Sequence, residues 1–299
     1  MVSGCKKIIL AVTILGVTAN VLWAQQTAGV QAKIVSWNIQ MLPNAFGMFS
    51  KALRKKQRIR EPWIVEFCNQ QDYDVIVFQE VFDVDIKRKL KKGLKERYPY
   101  QVDTRTKSGR LTSNGIFIVS RLPMKYIDHV IYQKGAHEDG WAAKGCTLVE
   151  VEKEGQKFQI AGTHLQAGNS EAAIMHRDLQ YQDIRNLLDK NTVESIPVFV
   201  MGDMNTRKKD PEKYPKMIST IGVEDFDLNE TTPYTIDGKN SWNNHKQGMQ
   251  LDYIMLQKRA TSTSIEEQKI IRPTHEYKGE QIDLADHYGV VAKVNIANQ

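Results

Sequence analysis

Four short phrases hold most of the side chains in this sequence with types and spacing suited to catalysis. They are Gln79-Glu80-Val81-Phe82-Asp83, Gly162-Thr163-His164-Leu165, Gly202-Asp203-Met204-Asn205 and Asp286-His287-Tyr288. The runs before Glu80 (Val75, Ile76, Val77, Phe78) and Asp203 (Val198, Phe199, Val200, Met201) contain no polar residue, the pattern of strands buried on both faces. An acid or imidazole at the end of such a strand needs a reason. The economical one is convergence of several strand ends on one polar site, where carboxylate and amide oxygens hold a hard divalent cation and histidines move protons.

Each phrase also has a plainer reading. Glu80 suits a helix N-terminus as well as a metal. Asn38, closing Val35-Ser36-Trp37, offers an amide oxygen to the same magnesium shell or serves a turn. Asp203 and Asn205 point the same way if the chain stays extended and then address one phosphate or its attacking water; the rival is an Asx turn. His164 is a strand-end histidine with catalytic and surface readings. His287 has better company. Asp252, in Leu251-Asp252-Tyr253-Ile254, is an acid inside a strand expected to be buried, and a buried acid requires a partner. Neighbours in an extended strand face opposite ways, so Asp252 rather than Asp286 is expected to orient His287, which frees Asp286 for metal or phosphate.

The elements that must position these groups follow from periodicity. Strands are predicted near residues 33–37, 75–79, 115–120, 126–132, 145–151, 158–163, 198–202, 251–256 and 289–294. Helices are predicted at 49–70 with an interruption at Pro62, at 84–97, and at 170–189 starting from Ser170. Strands crowd the middle of the chain while strand and helix alternate at its edges, an α/β pattern that argues for two packed sheets covered by helices. No repeat or linker divides it.

Residues 1–24 are read as a secretory signal: Lys6 and Lys7, an apolar stretch from Ile8 to Leu22, then Ala24 before Gln25. Cys5 precedes the apolar stretch, which argues against a lipoprotein. Residues 25–299 then form one catalytic domain, secreted or periplasmic. Loss of two lysines with the leader leaves 39 basic against 35 acidic residues, so the net charge falls from +6 to +4. The excess is clustered at residues 51–60 and 87–97, as solvated helix faces or as an attraction for a polyanion or an anionic membrane. Cys68 and Cys146 either pair or stay buried as free thiols.

In order and strand context, Ser36-Trp37-Asn38, Gln79-Glu80, the His164, Asp203 and Asp252 phrases and Ala285-Asp286-His287 resemble the motifs of the endonuclease/exonuclease/phosphatase superfamily. Three further phrases resemble bacterial-type neutral sphingomyelinases: the Val81-Phe82-Asp83 extension, Ser113-Asn114-Gly115 leading into Ile116 to Arg121, and Lys144-Gly145 after Trp141. The family pattern has a serine where Ala285 stands.

The resemblance implies a four-layer αββα sandwich of mixed sheets and magnesium-dependent hydrolysis of sphingomyelin, or a related bilayer phospholipid, to ceramide and phosphocholine. Manganese or cobalt are expected substitutes. It casts Glu80, Asn38 and Asp286 at the metal, His287 as base with Asp252 behind it, Asp203 and Asn205 on water and phosphoryl oxygens, and His164 as a donor to phosphate or leaving oxygen. Asn114 is placed in the substrate site. Trp141, Trp242 and Tyr288 are candidates to hold the choline by cation-π attraction, with ordinary packing as the alternative. A monomer without protein partners is expected. A secreted nuclease on the same fold and a silent phospholipid-binding protein are the competing readings.

Overall fold

The computed structural model describes residues 29–43, 51–103, 112–133, 135, 142–243, 245–258 and 262–298. The expected leader and Trp141 lie outside them. Two six-stranded sheets stack face to face. The first contains β1 (Val30–Met41), β2 (Val75–Val81), β3 (Tyr100–Asp103), β4 (Phe117–Ser120), β11 (Ser264–Ile271) and β14 (Gly289–Ile296), in the order β11-β14-β1-β2-β4-β3. The second contains β5 (Met124–Ile131), β6 (Gly145–Lys153), β7 (Gln156–His164), β8 (Val198–Asp203), β9 (Val223–Glu224) and β10 (Asp252–Gln257), in the order β5-β6-β7-β8-β10-β9. A small hairpin pairs β12 (Thr274–Tyr277) with β13 (Glu280–Asp283).

Alternation along the strands builds three cores. Val75, Val77, Ile160, Phe199, Met201 and Ile254 fill the space between the sheets. Ile76, Phe78 and Trp37 face outward under α1 (Lys51–Gln70) and α2 (Val84–Leu94), meeting Ile64, Cys68, Leu90 and Leu94. Val198, Val200 and Tyr253 face the other way, under α3 (Glu171–Lys190) and α4 (Lys213–Ile221). Each large apolar side chain so withdrawn contributes about 1.5–3 kcal/mol. The expected αββα sandwich is the fold observed.

Strand direction places the chemistry. β1 runs parallel to β2, and β7 parallel to β8, so Asn38, Glu80, His164 and Asp203 are all delivered at one end of the sandwich. β10 runs antiparallel to β8 with Asp252 opposite Asp203, and β14 antiparallel to β1, so Asp252 and the segment before Gly289 reach that same end. Gly202 makes this possible: its φ is +153°, and a Cβ there would lie 1.9 Å from the Thr163 carbonyl oxygen.

Several expectations are corrected. α1 continues through Pro62, which is exposed and removes only one backbone donor, so the predicted interruption does not occur. β3, β9, β11, the hairpin and α4 were not anticipated; β11 hides its alternation behind a register shift between Ile265 and Glu267. The Val81-Phe82-Asp83 tail is structural. Asp83 caps α2 by accepting from the Asp85 and Ile86 N–H groups, and Phe82 is buried against Gly115. Within the two basic clusters, Arg60 is buried and Lys87 pairs with Asp103 at 2.9 Å, so neither is a solvated charge. Cys68 and Cys146 are free thiols in separate cores, and burial pushes both above a thiol's usual range.

Candidate active site

The strand ends do not simply stop; they curl. Among the described non-glycine residues, Gln40 (φ 48°), Glu80 (φ 61°) and Asn205 (φ 48°) adopt left-handed backbone at this end, and the other two, Glu154 and Lys278, sit beside turn glycines. Such residues cost on the order of 1–3 kcal/mol each and persist where the surroundings enforce them. The register of β1 against β2 slips between Asn38 and Met41, which turns Asn38 inward.

Asn38 Nδ2 donates to Glu80 Oε1 at 2.9 Å and to Asp203 Oδ2 at 3.2 Å, while its oxygen accepts from the Gln40 N–H at 3.1 Å. Asn38 therefore bridges two carboxylates, and its expected oxygen contact to a metal is not what this geometry presents. Asp203 Oδ1 accepts from the Asn205 N–H at 2.9 Å, so the chain turns here rather than staying extended. Asn205 is nevertheless held at the site through Nδ2 to the Leu165 carbonyl, at 3.1 Å.

His287 Nδ1 lies 2.8 Å from Asp252 Oδ2, and its Nε2 is 3.9 Å from Asp203 Oδ2. Asp252 is fully buried, and the partnership expected for it is present. Burial opposes a charge on His287, but Asp252, Asp203 and Asp286 outweigh it and hold the imidazole well above the usual histidine range. His164 goes the other way: burial, then Lys144 and His287, keep it well below that range. Lys144 Nζ lies 3.2 Å from His164 Nε2 and donates to the Leu165 carbonyl at 2.9 Å. An ammonium only donates, so Nε2 carries the lone pair, and the expected proton donation from that nitrogen requires the other tautomer.

The residues present fit a hard divalent cation. Oxygens of Glu80 and Asp203 and a nitrogen of His164 all lie within 4.8 Å of one another. Gln40 Nε2 donates to Asp286 Oδ2 at 2.5 Å, leaving Oδ1 buried without a partner among the described residues. Burial, then Asp286, push Glu80 up to about 7; burial, then Asp252, push Asp203 up to about 6. Lys144 and His287 offset these shifts only in part; a divalent cation would offset them further, and carboxylate oxygens suit magnesium.

The expected substrate contacts fare less well. Asn114 is 1% exposed and uses both amide ends internally, on Thr147 Oγ1 and the Ile116 N–H, which makes it scaffold. Tyr288 is buried, with its hydroxyl on Asp237 and the Arg272 guanidinium 4.9 Å from its ring centre, so no face is left for choline. Trp242 is half-buried and anchored through Nε1 to the Asp283 carbonyl; the Lys56 ammonium stands 4.7 Å from its ring centre.

Sequence reasoning missed Lys144, Gln40 and Arg60 as parts of the site. Arg60 had a legible signal, since it falls on the buried face of α1 with Ile64 and Cys68, four residues apart. Burial lowers its guanidinium to about 10 against the pull of Asp286 and Glu80.

Two stacked sheets with acids, amides and a His–Asp pair gathered at one end define the deoxyribonuclease-like class. Residues 35–272 match the Endonuclease/Exonuclease/phosphatase family, and the chain belongs to it. It is 32% identical over 255 residues to sphingomyelinase C 2 of Leptospira interrogans, covering 77% of this chain and 40% of that protein. The chain thus spans half or less of the length of the curated Leptospira relatives it matches, 40% of sphingomyelinase C 2 and 50% of a second sphingomyelinase C. The crystal structure of beta toxin from Staphylococcus aureus superposes with a TM-score of 0.74 at 25% identity, covering 87% of this chain and 99% of that one. A beta toxin mutant with bound magnesium ions superposes with a TM-score of 0.68 at 23% identity, covering 89% and 99%.

Proposed function

We propose that this chain is a secreted or periplasmic, metal-dependent phosphodiesterase that hydrolyses sphingomyelin to ceramide and phosphocholine. The observation that carries the proposal is the His287–Asp252 pair, at 2.8 Å, beside the Glu80–Asp203–His164 cluster. A divalent cation held by Glu80, with Asp203 and Asp286 flanking it, supplies neutralisation of the phosphoryl oxygens when bound; magnesium fits the oxygen donors, and beta toxin binds it. Asp252 fixes the His287 tautomer with the proton on Nδ1; once a cation offsets the charge of Asp203 and Asp286, the imidazole loses part of what holds it protonated, freeing Nε2 to take a proton from water. The water oxygen bonds to phosphorus as its proton passes to His287 Nε2, the bond to the ceramide oxygen breaks, and that oxygen takes a proton from solvent as it leaves. Lys144 adds fixed positive charge in the corner occupied by His164, and the Asn205 turn keeps Asp203 aimed inward.

The Leptospira relatives named as sphingomyelinases support the lipid substrate. A nuclease reading has its own observation, the exposed Lys55, Arg58, Arg88, Lys89 and Lys92 on α1 and α2, with exposed Lys95 just past the end of α2. Purified protein with magnesium, given sphingomyelin vesicles and plasmid in parallel, separates them: phosphocholine release supports the first reading, and nicking without it the second. Vesicle binding with no cleavage of either leaves a lipid-binding protein.

A further inference from the structure

The segment bearing Asp286 and His287 is held in an unusual way. Its four successive carbonyls each accept from a side chain of a different element or loop position: Leu284 from Arg60 at 2.8 Å, Ala285 from Asn240 at 2.9 Å, Asp286 from Asn243 at 3.0 Å and His287 from Trp37 Nε1 at 3.2 Å. Trp37 stands on β1 itself, and Arg60, from α1, differs from Asn240 and Asn243 because it also grips the end of β1. Its Nη1 donates to the Ile39 carbonyl at 3.2 Å and its Nη2 to the Gln40 carbonyl at 3.0 Å, and Gln57 donates to the Gln40 carbonyl at 3.2 Å. Gln40 in turn bonds Asp286 through its side chain.

A guanidinium that is 1% exposed, and with no carboxylate at ion-pair distance among the described residues, is costly to bury. A packing role alone is met more cheaply by methionine or leucine at that position on α1. What those residues lack is a planar fork able to span two backbone segments at once.

We infer that Arg60 and Gln40 are positioning residues of the site: Arg60 sets the distance between the β1 end and the 284–287 segment, and Gln40 occupies one Asp286 oxygen so that the other is presented to the cation. This rests on the metal-dependent reading above, though not on the identity of the substrate. The closed path is Arg60 to Gln40 main chain, Gln40 side chain to Asp286, and Leu284 main chain back to Arg60. Cutting it at either residue loosens the same acid.

The test is magnesium binding by the full chain, measured by calorimetry without substrate, for wild type, Gln40→Met, Arg60→Lys and the double variant, with circular dichroism as the check on folding. Outer partners of metal ligands typically contribute 10- to 100-fold in affinity. Gln40→Met is expected to weaken magnesium binding by about that factor with an unchanged spectrum, and Arg60→Lys in the same direction. The double variant is expected to lose less than the product of the two single losses, because both act through Asp286. Magnesium affinity within about twofold of wild type in folded Gln40→Met overturns the inference, as do independent, multiplicative losses. A wild-type chain that binds no magnesium overturns it together with the metal reading. Gln40→Met decides the matter if Arg60→Lys does not fold, since Gln40 is only partly buried.

Discussion

His287 and Asp252 come from segments 35 residues apart and meet at 2.8 Å, while the adjacent Asp286 turns away to Gln40. The two acids are thereby divided between a histidine and the carboxylate cluster, although residues 284–287 form a bend between β13 and β14 rather than the extended strand from which that division was expected.

Replacing His287 with alanine is expected to lower turnover by about 10²- to 10⁴-fold, the usual share of a general base. Asp252→Asn is expected to act in the same direction, since an amide favours the wrong tautomer on His287. Both are checked by kinetics on folded protein, with circular dichroism confirming that the loss is chemical. Near-wild-type rates at saturating magnesium in His287→Ala contradict the assignment.

The carboxylates make a prediction about pH. Glu80 is pushed up to about 7 and Asp203 to about 6, and His287 is raised well above its usual range. A raised folded-state pKa means the group binds its proton more tightly when folded, so its stabilisation is complete at low pH and is lost as pH rises through the folded value. All three have this sign. The metal-free protein is therefore expected to melt at lower temperature as pH rises through 6 and 7, and saturating magnesium is expected to raise the melting temperature more at pH 8 than at pH 5. Thermal melts with chelator and with magnesium check this; a metal-free melting temperature that rises over the same interval contradicts it.

Removing the Lys144 ammonium takes away a donor to His164 Nε2 and a cation that depresses that imidazole. Lys144→Met is expected to reduce turnover and to raise the His164 pKa, read from its imidazole signals by NMR. Unchanged imidazole titration in the variant removes Lys144 from the site.

Gly202→Ala places a Cβ 1.9 Å from the Thr163 carbonyl in a backbone conformation that alanine avoids. β7 and β8 must separate at the point where they deliver His164 and Asp203. Loss of activity with a lowered melting temperature is expected, and a variant as stable and active as wild type shows that this approach is not required.

The sandwich and most of the site were legible because buried parallel strands write themselves as unbroken apolar runs, and their ends are where a polar residue stands out. Val75 to Phe78 leading to Glu80 and Val198 to Met201 leading to Asp203 are of this kind. What was not legible depends on which way a side chain turns at a strand end. The left-handed backbone at Gln40, Glu80 and Asn205 redirects each residue, so Asn38 shows its nitrogen to the acids and Asn205 follows a turn. Aromatics were equally opaque. Tyr288 and Trp242 have cations of the chain itself against their rings, which no spacing in the sequence indicates. β11 escaped because its register shift and its exposed Glu266 and Lys269 erase the two-residue period.

The most direct test of the account is phosphocholine released from sphingomyelin vesicles by the purified chain, measured with magnesium, with chelator, and with Glu80→Gln in place of wild type. Magnesium-dependent release by wild type, abolished by chelator and absent in folded Glu80→Gln, is the predicted result. No release under any of these conditions, or release that persists in chelator, contradicts it.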